Sequence, residues 1–344
     1  MTILPQLILH IGAGKTGSTS IQFALKRNGP LLAEQNAAYV GLMLEQVPGA
    51  TRYDWCVEGQ PHRFFEQPPQ NRARVDDEVF QTIRDELERF GHEGVSRVVW
   101  SNEAFLPSSA RIIRIAQRLV GAGLRLRIVC YLRRHDEWAR SAYVQFALKG
   151  KHYPGPVRTF REWISTHPVA FAEQIETWRT AFPGMVELYN VDATDDAVAH
   201  FCAVCGIYGM PTLRANVAPS NASLAAYLVH NAQYDQPVMP DVFASLIAPM
   251  KISGPHETTV APLEDLLPTT EDLVSLQDEC RGDFDRLNHL LAEQGQDTLV
   301  FDAPKDLNRS ATTWEMQRYM LQMIIALQKQ VSSLQKQLGA RGND

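Results

Sequence analysis

The sequence predicts a three-layer α/β fold, in which a central, mainly parallel sheet carries helices on both faces and a C-terminal amphipathic helix follows. Three observations predict it. Four short apolar runs, at 7–11, 97–100, 126–132 and 186–191, have the length and composition of strands buried on both faces. Segments of helical period separate them, as in βαβ units whose crossovers cover a parallel sheet. The stretch 313–338 is different in kind, a heptad pattern with no Gly or Pro inside it. Residues 1–312 are therefore expected to form one α/β domain, and 313–344 an appended helix.

The first unit, LILHIGAGKTGSTSIQFAL at 7–25, organises the rest. Leu7, Ile8, Leu9 and Ile11 make the strand; Gly12, Gly14 and Gly17 punctuate the loop around Lys15; Ile21, Phe23, Ala24 and Leu25 resume an apolar helical pattern. Between them stand the hydroxyls of Thr16, Ser18, Thr19 and Ser20. Strand, glycine-rich loop and helix N-terminus together describe an anion cradle. The glycines let backbone N–H groups approach an oxyanion, the helix adds partial positive charge and the lysine a full one. The nucleotide P-loop reads G-x-x-x-x-G-K-[ST]. Here Gly14 precedes Lys15 and Thr16 follows it, but Leu9 stands five places before Gly14, and the lysine leads a K-T-G-S-T order at 15–19.

Further along, a short strand is expected within 38–41, and 48–74 mixes Pro, Gly, His and aromatics without a period. Arg52, Trp55, His62 and Arg63 in that stretch are candidate contacts for an acceptor. Val79, Ile83, Leu87 and Phe90 mark a helix over 75–91 that ends at Gly91. The strand at 97–100 runs into Ser101-Asn-Glu, placing Glu103 just past a strand end, where open α/β sheets bind their ligands. A helix over 108–121 leads to the strand at 126–132, then to Arg133, with Ser141 eight residues later in the next helix. An arginine offers phosphate a planar fork, and a serine in the helix's opening turns adds a hydroxyl. Helices are expected at 158–166, 170–182, 195–205 and 273–294, and an Ala/Leu-rich one within 214–234.

K-T-G-S-T after one strand and R-x7-S after another resemble the bacterial sulfotransferases that use 3′-phosphoadenosine 5′-phosphosulfate (PAPS), over most of residues 7–235. The resemblance implies a P-loop-like fold and transfer of a sulfuryl group from PAPS to an acceptor hydroxyl on a carbohydrate or glycolipid. It assigns the donor to Gly14, Lys15, Thr16, Gly17, Ser18, Thr19, Ser20, Arg133 and Ser141, the last two on the 3′-phosphate. It also implies that Lys15 and Glu103 are catalytic, the glutamate as base, with 3′-phosphoadenosine 5′-phosphate (PAP) as product and no metal; a glutamate in that place also suits orienting the acceptor or capping the following helix. His62, His135 and His152 are weaker base candidates, and the basic pair Lys305 and Arg309 is a candidate cover for the nucleotide.

Composition bounds the alternatives. The net charge of −6 speaks against a general nucleic-acid binder. No apolar run reaches the ~18–20 residues of a membrane-spanning helix, and the N-terminal residues read as a strand without the basic region and cleavage site of a signal peptide, so a cytoplasmic protein is expected. Five cysteines are an odd, sparse set suited to a reducing compartment, and Cys202 and Cys205 lie in an apolar helical segment that reads as core. In the tail, Met320, Ile324, Leu327, Val331, Leu334 and Leu338 recur at spacings of 4, 3, 4, 3 and 4. That seam suits either a homo-oligomer through a short coiled coil or a helix packed on its own domain. Two other classes compete: a P-loop kinase or NTPase, which needs Mg²⁺ and a strand-end aspartate to hold it, and a non-catalytic scaffold that keeps the fold.

Overall fold

Five parallel strands form the sheet: β1 (Gln6–His10), β2 (Ala37–Tyr39), β3 (Arg97–Ser101), β4 (Leu126–Leu132) and β5 (Val186–Asn190), in the order β2-β3-β1-β4-β5. The structure, a computed structural model, describes residues 4–211, 220–240, 242–243, 262–304 and 309–310, with isolated positions between 312 and 331. The inner strands are mainly apolar because both faces are covered, and the charged residue inside β4, Arg127, pairs with Glu187 of β5. Ile8, Val99, Val129 and Tyr131 face one side. There they meet Ile21, Ala24 and Leu25 of α1 (Ser18–Arg27), Leu32 of α2 (Gly29–Glu34), and Phe201 and Cys202 of α9 (Ala197–Val204). Helices α4 (Pro69–His92), α5 (Ser109–Gly121) and α8 (Ala172–Ala181) pack in succession with Arg281–Glu293, and the last of these packs on β5.

The described residues divide into two compact units. The sheet and the helices just named belong to the first, made of residues 1–134, 170–217 and 280–301; the second comprises 135–169, 218–279 and 302–344. Within the second, α6 (His135–Tyr143) continues through a π-type stretch at Val144–Lys149, and the unit also holds α7 (Phe160–Ile164), α10 (Asn221–Asn231) and the helices Leu263–Leu266 and Thr270–Glu279. Tyr143 Oη lies 2.8 Å from the Arg158 carbonyl and 2.9 Å from that of Leu266, tying three of its segments together. Lys151, fully buried, places its ammonium on the carbonyls of Gly155 and Tyr234, and burial lowers its pKa.

The stretch 48–74, too long for a structureless loop, is partly ordered: it holds a 3-10 turn at Ala50–Arg52, α3 (His62–Phe65) and the start of α4, because Pro69 sits at the first helical position, where its missing N–H costs nothing. Two sequence expectations need correction. The helix expected over 273–294 is two helices broken at Cys280. The second turns its Asp283 carboxylate onto the N–H groups of Phe171 and Ala172, both at 3.0 Å, and so caps α8. Trp55 is fully buried with its indole N–H on Glu78 Oε2 at 2.8 Å, so it is core and not an acceptor contact.

Other expectations fall on sparsely described ground. A capping box of Thr312 and Glu315 opens the tail, where Met320, Ile324 and Val331 are exposed; Leu334 and Leu338 lie outside the described residues. Lys305 does too, while Arg309 donates to the carbonyls of Glu264 and Leu267. Among the described residues no helix is long and apolar enough to cross a membrane.

Candidate anion site

Parallel strands all end at one edge, so the loops after β1, β3, β4 and β5 share that edge. In the order β2-β3-β1-β4-β5, the connection from β1 runs one way and that from β4 the other, opening a crevice at their C-terminal ends. The loop Ile11–Gly17 occupies it. Ile11 N and Ala13 N continue the β1–β4 ladder past the sheet, to Val129 O at 3.0 Å and Tyr131 O at 3.2 Å. The chain then turns left-handed at Gly14 (φ 63°), Lys15 (φ 52°) and Gly17 (φ 89°). For lysine that conformation costs about 1–2 kcal/mol, a strain of the kind that collects where a backbone is shaped around a ligand. Gly17 allows no side chain, because a Cβ would stand 2.8 Å from Ala197 Cβ as well as in a left-handed conformation.

Helix α1 begins at Ser18 with no side chain capping it and with Lys26 and Arg27 in its last turn, so its N-terminus presents uncapped donors and partial positive charge to the loop. Thr16 and Ser18 are buried, and neither hydroxyl finds a hydrogen-bond partner among the described residues. Buried hydroxyls are rarely left so, and two of them beside an open helix N-terminus suit an oxyanion. Thr19 is exposed, while Gly14, Lys15, Gly17 and Ser20 are half-buried.

Glu103 opens a 3-10 turn, Glu103–Phe105, directly after β3. Asn102, not the glutamate, caps that turn, accepting from Ala104 N at 2.9 Å. Glu103 Oε2 accepts instead from Gln22 Nε2 of α1 at 2.8 Å. The same amide nitrogen lies 3.3 Å from Ser101 Oγ, which is 2.7 Å from His10 Nδ1. Glu103 is thus held to the helix that opens the cradle. Nearby, burial, then the charges of Glu45 and Glu103, raise the pKa of the Tyr39 phenol.

Arg133, just past β4, donates from Nη1 to the Lys15 carbonyl at 3.2 Å and pairs with Asp192, beyond β5, at 3.3 Å. The C-terminal edge of the sheet therefore carries Lys15, Glu103 and Arg133, with Asp192 beside the arginine. Ser141 is half-buried on α6, which belongs to the second unit. Comparison with family models and with curated protein sequences finds no match for this chain.

His10, Gln22, Ser101 and Asp192 were not legible as site residues. The signal for Gln22 was a polar residue among the apolar ones of α1's buried stripe; for Ser101, a buried hydroxyl at a strand end. Of the weaker base candidates, His62 and His152 are exposed and His135 is buried in the second unit. Cys202 and Cys205 are core, as their apolar surroundings foretold, and burial pushes the Cys202 thiol up to about 11. A cavity of about 270 Å³ lies between 47–53 and α4, lined by Arg52, Tyr53, Gln81 and Arg89 among others. Among the described residues, no group of three His, Cys, Asp or Glu side chains stands where it could hold a metal ion.

Proposed function

We propose that this chain is a PAPS-dependent sulfotransferase acting on a hydroxyl of a carbohydrate or glycolipid. The observation that carries the reading is the union of an open, glycine-shaped helix N-terminus with Lys15, Glu103 and Arg133 at one sheet edge. Thr16 and Ser18 fit the donor's 5′-phosphosulfate chemically, since they are buried hydroxyls that need an acceptor. Arg133 suits the 3′-phosphate that separates PAPS from ATP, and Ser141 joins it on the resemblance of R-x7-S alone.

Sulfuryl transfer asks for positioning, for charge stabilisation at the group in flight, and for a base. Glu103 takes the proton of the acceptor hydroxyl as its oxygen bonds to sulfur. The bond from sulfur to the 5′-phosphate oxygen breaks, and Lys15 stabilises the charge left on that oxygen. The sulfuryl group carries less charge than a terminal phosphoryl, so the lysine and the helix N-terminus suffice without Mg²⁺. Lys15→Ala tests this with radiolabelled PAPS and mixed glycan acceptors: the variant is expected to lose transfer while keeping its fold, and near-normal transfer would refute the cradle.

A further inference from the structure

A third buried group converges on the floor of the loop. His10 ends β1 with no exposed surface, packed against the rings of Tyr131 and Phe201 at centroid distances of 5.9 and 4.9 Å. Its Nδ1 meets Ser101 Oγ, but its Nε2 finds no partner among the described residues. Nor do Thr16 Oγ1 and Ser18 Oγ. These three atoms surround one point: a Cβ on Gly12 would lie 2.9 Å from Ser18 Oγ, 3.2 Å from His10 Nε2 and 3.4 Å from Thr16 Oγ1. Three orphaned polar atoms, each on a side chain at most 3% exposed, thus line a single niche beside a glycine. Leaving one such atom unmet costs about 1–3 kcal/mol.

The bonds on the other side of the ring fix its protonation. A carboxylate only accepts, so the Gln22 amide must turn its nitrogen to Glu103. That nitrogen's second hydrogen then faces Ser101, whose Oγ lies at 3.3 Å and whose carbonyl lies at 3.4 Å, and the serine's own proton is left for His10 Nδ1. With Nδ1 accepting, the proton of the neutral ring sits on Nε2 and points to the niche. Burial agrees, holding the imidazole down to about 3 and therefore neutral. The chain of donors runs without a conflict from Gln22 through Ser101 to His10, and leaves the Nε2–H facing the niche that the two loop hydroxyls share.

We propose that His10 is a positioning residue that couples the anion cradle to Glu103. When an anion binds, its Nε2–H donates to a loop hydroxyl of the niche, that hydroxyl turns its proton to an oxygen of the bound phosphate ester, and the Ser101–Gln22 chain holds the carboxylate in step. The inference rests on the sulfotransferase reading for the identity of the anion, not for its presence.

Long-range ¹H–¹⁵N spectra of the imidazoles test it, recorded on the full chain alone, with PAP, and with inorganic pyrophosphate. His10 is expected to be the neutral Nε2–H tautomer in the free protein, and its Nε2 resonance to move when either anion is added. Ser101→Ala, which leaves the loop residues intact, should release the tautomer to a mixture and weaken anion binding by about fivefold, the worth of one hydrogen bond. An Nδ1–H tautomer in the free protein, or a His10 signal unmoved by both anions, overturns the proposal. A shift with pyrophosphate in a protein that does not bind PAP supports the coupling while counting against the sulfotransferase reading.

Discussion

Gly17→Ala isolates what shapes the cradle, because two independent penalties meet at that residue. The backbone is left-handed at φ 89°, which costs a residue with a Cβ about 1–2 kcal/mol. The new methyl would also stand 2.8 Å from Ala197 Cβ on the first turn of α9, an overlap that must be relieved by shifting α1 against α9. Overpacking of that size costs about 1–3 kcal/mol, so the variant is expected to lose about 2–5 kcal/mol in urea denaturation. A double-mutant cycle separates the two terms. Ala197→Gly removes the opposing methyl at a cost of up to about 1 kcal/mol in helix propensity. In the Gly17→Ala background it should restore the overlap term, giving a coupling of about 1–3 kcal/mol, while the backbone term stays. Additivity of the two substitutions to within about 0.5 kcal/mol would refute the claim that α9 presses on the loop at Gly17.

Two further outcomes follow from buried groups and from charge. His10 titrates near 3 in the folded chain against 6.5 when exposed, so it withholds a proton that the unfolded chain takes up; its stabilising effect is whole above pH 6.5, falls as the pH drops from there toward 3, and is smaller by about 2 kcal/mol at pH 5. His10→Asn should remove that part of the acid sensitivity, and parallel stability–pH curves for the two proteins would contradict the burial argument. Arg133→Ala should weaken PAP by about 1.5–3 kcal/mol, the range of a hydrogen bond to a charged group; unchanged affinity in a calorimetric titration would place the 3′-phosphate elsewhere.

The strands were legible because burial in the sheet leaves short, mainly apolar runs, and β4 and β5 stand within a residue of where those runs lie, although Arg127 and Glu187 interrupt them. The order of the strands was not, since pairing is decided by the crossovers and leaves no mark in one strand's composition. α2 and α3, as well as the opening of α4, were hidden for a local reason. Their Pro, Gly and aromatic residues blur the helical period, and only Pro30 and Pro69, in the first turns of α2 and α4, gave notice. Lys15, Glu103 and Arg133 could be placed at one edge of the sheet because parallel strands send every strand end there. The links among them could not. Gln22, Ser101 and His10 are 79 and 91 positions from their partners in the chain, and a buried polar residue announces a bond without naming the other member.

The central claim is that the cradle after β1 binds a 3′-phosphorylated adenosine nucleotide without metal. Calorimetric titration with PAP and with ATP, each with and without Mg²⁺, tests it most directly. The account predicts micromolar PAP binding that ignores Mg²⁺ and exceeds ATP binding. ATP binding that requires Mg²⁺ and shows no preference for PAP would contradict it in favour of a kinase or NTPase, and binding of neither would contradict it in favour of a scaffold.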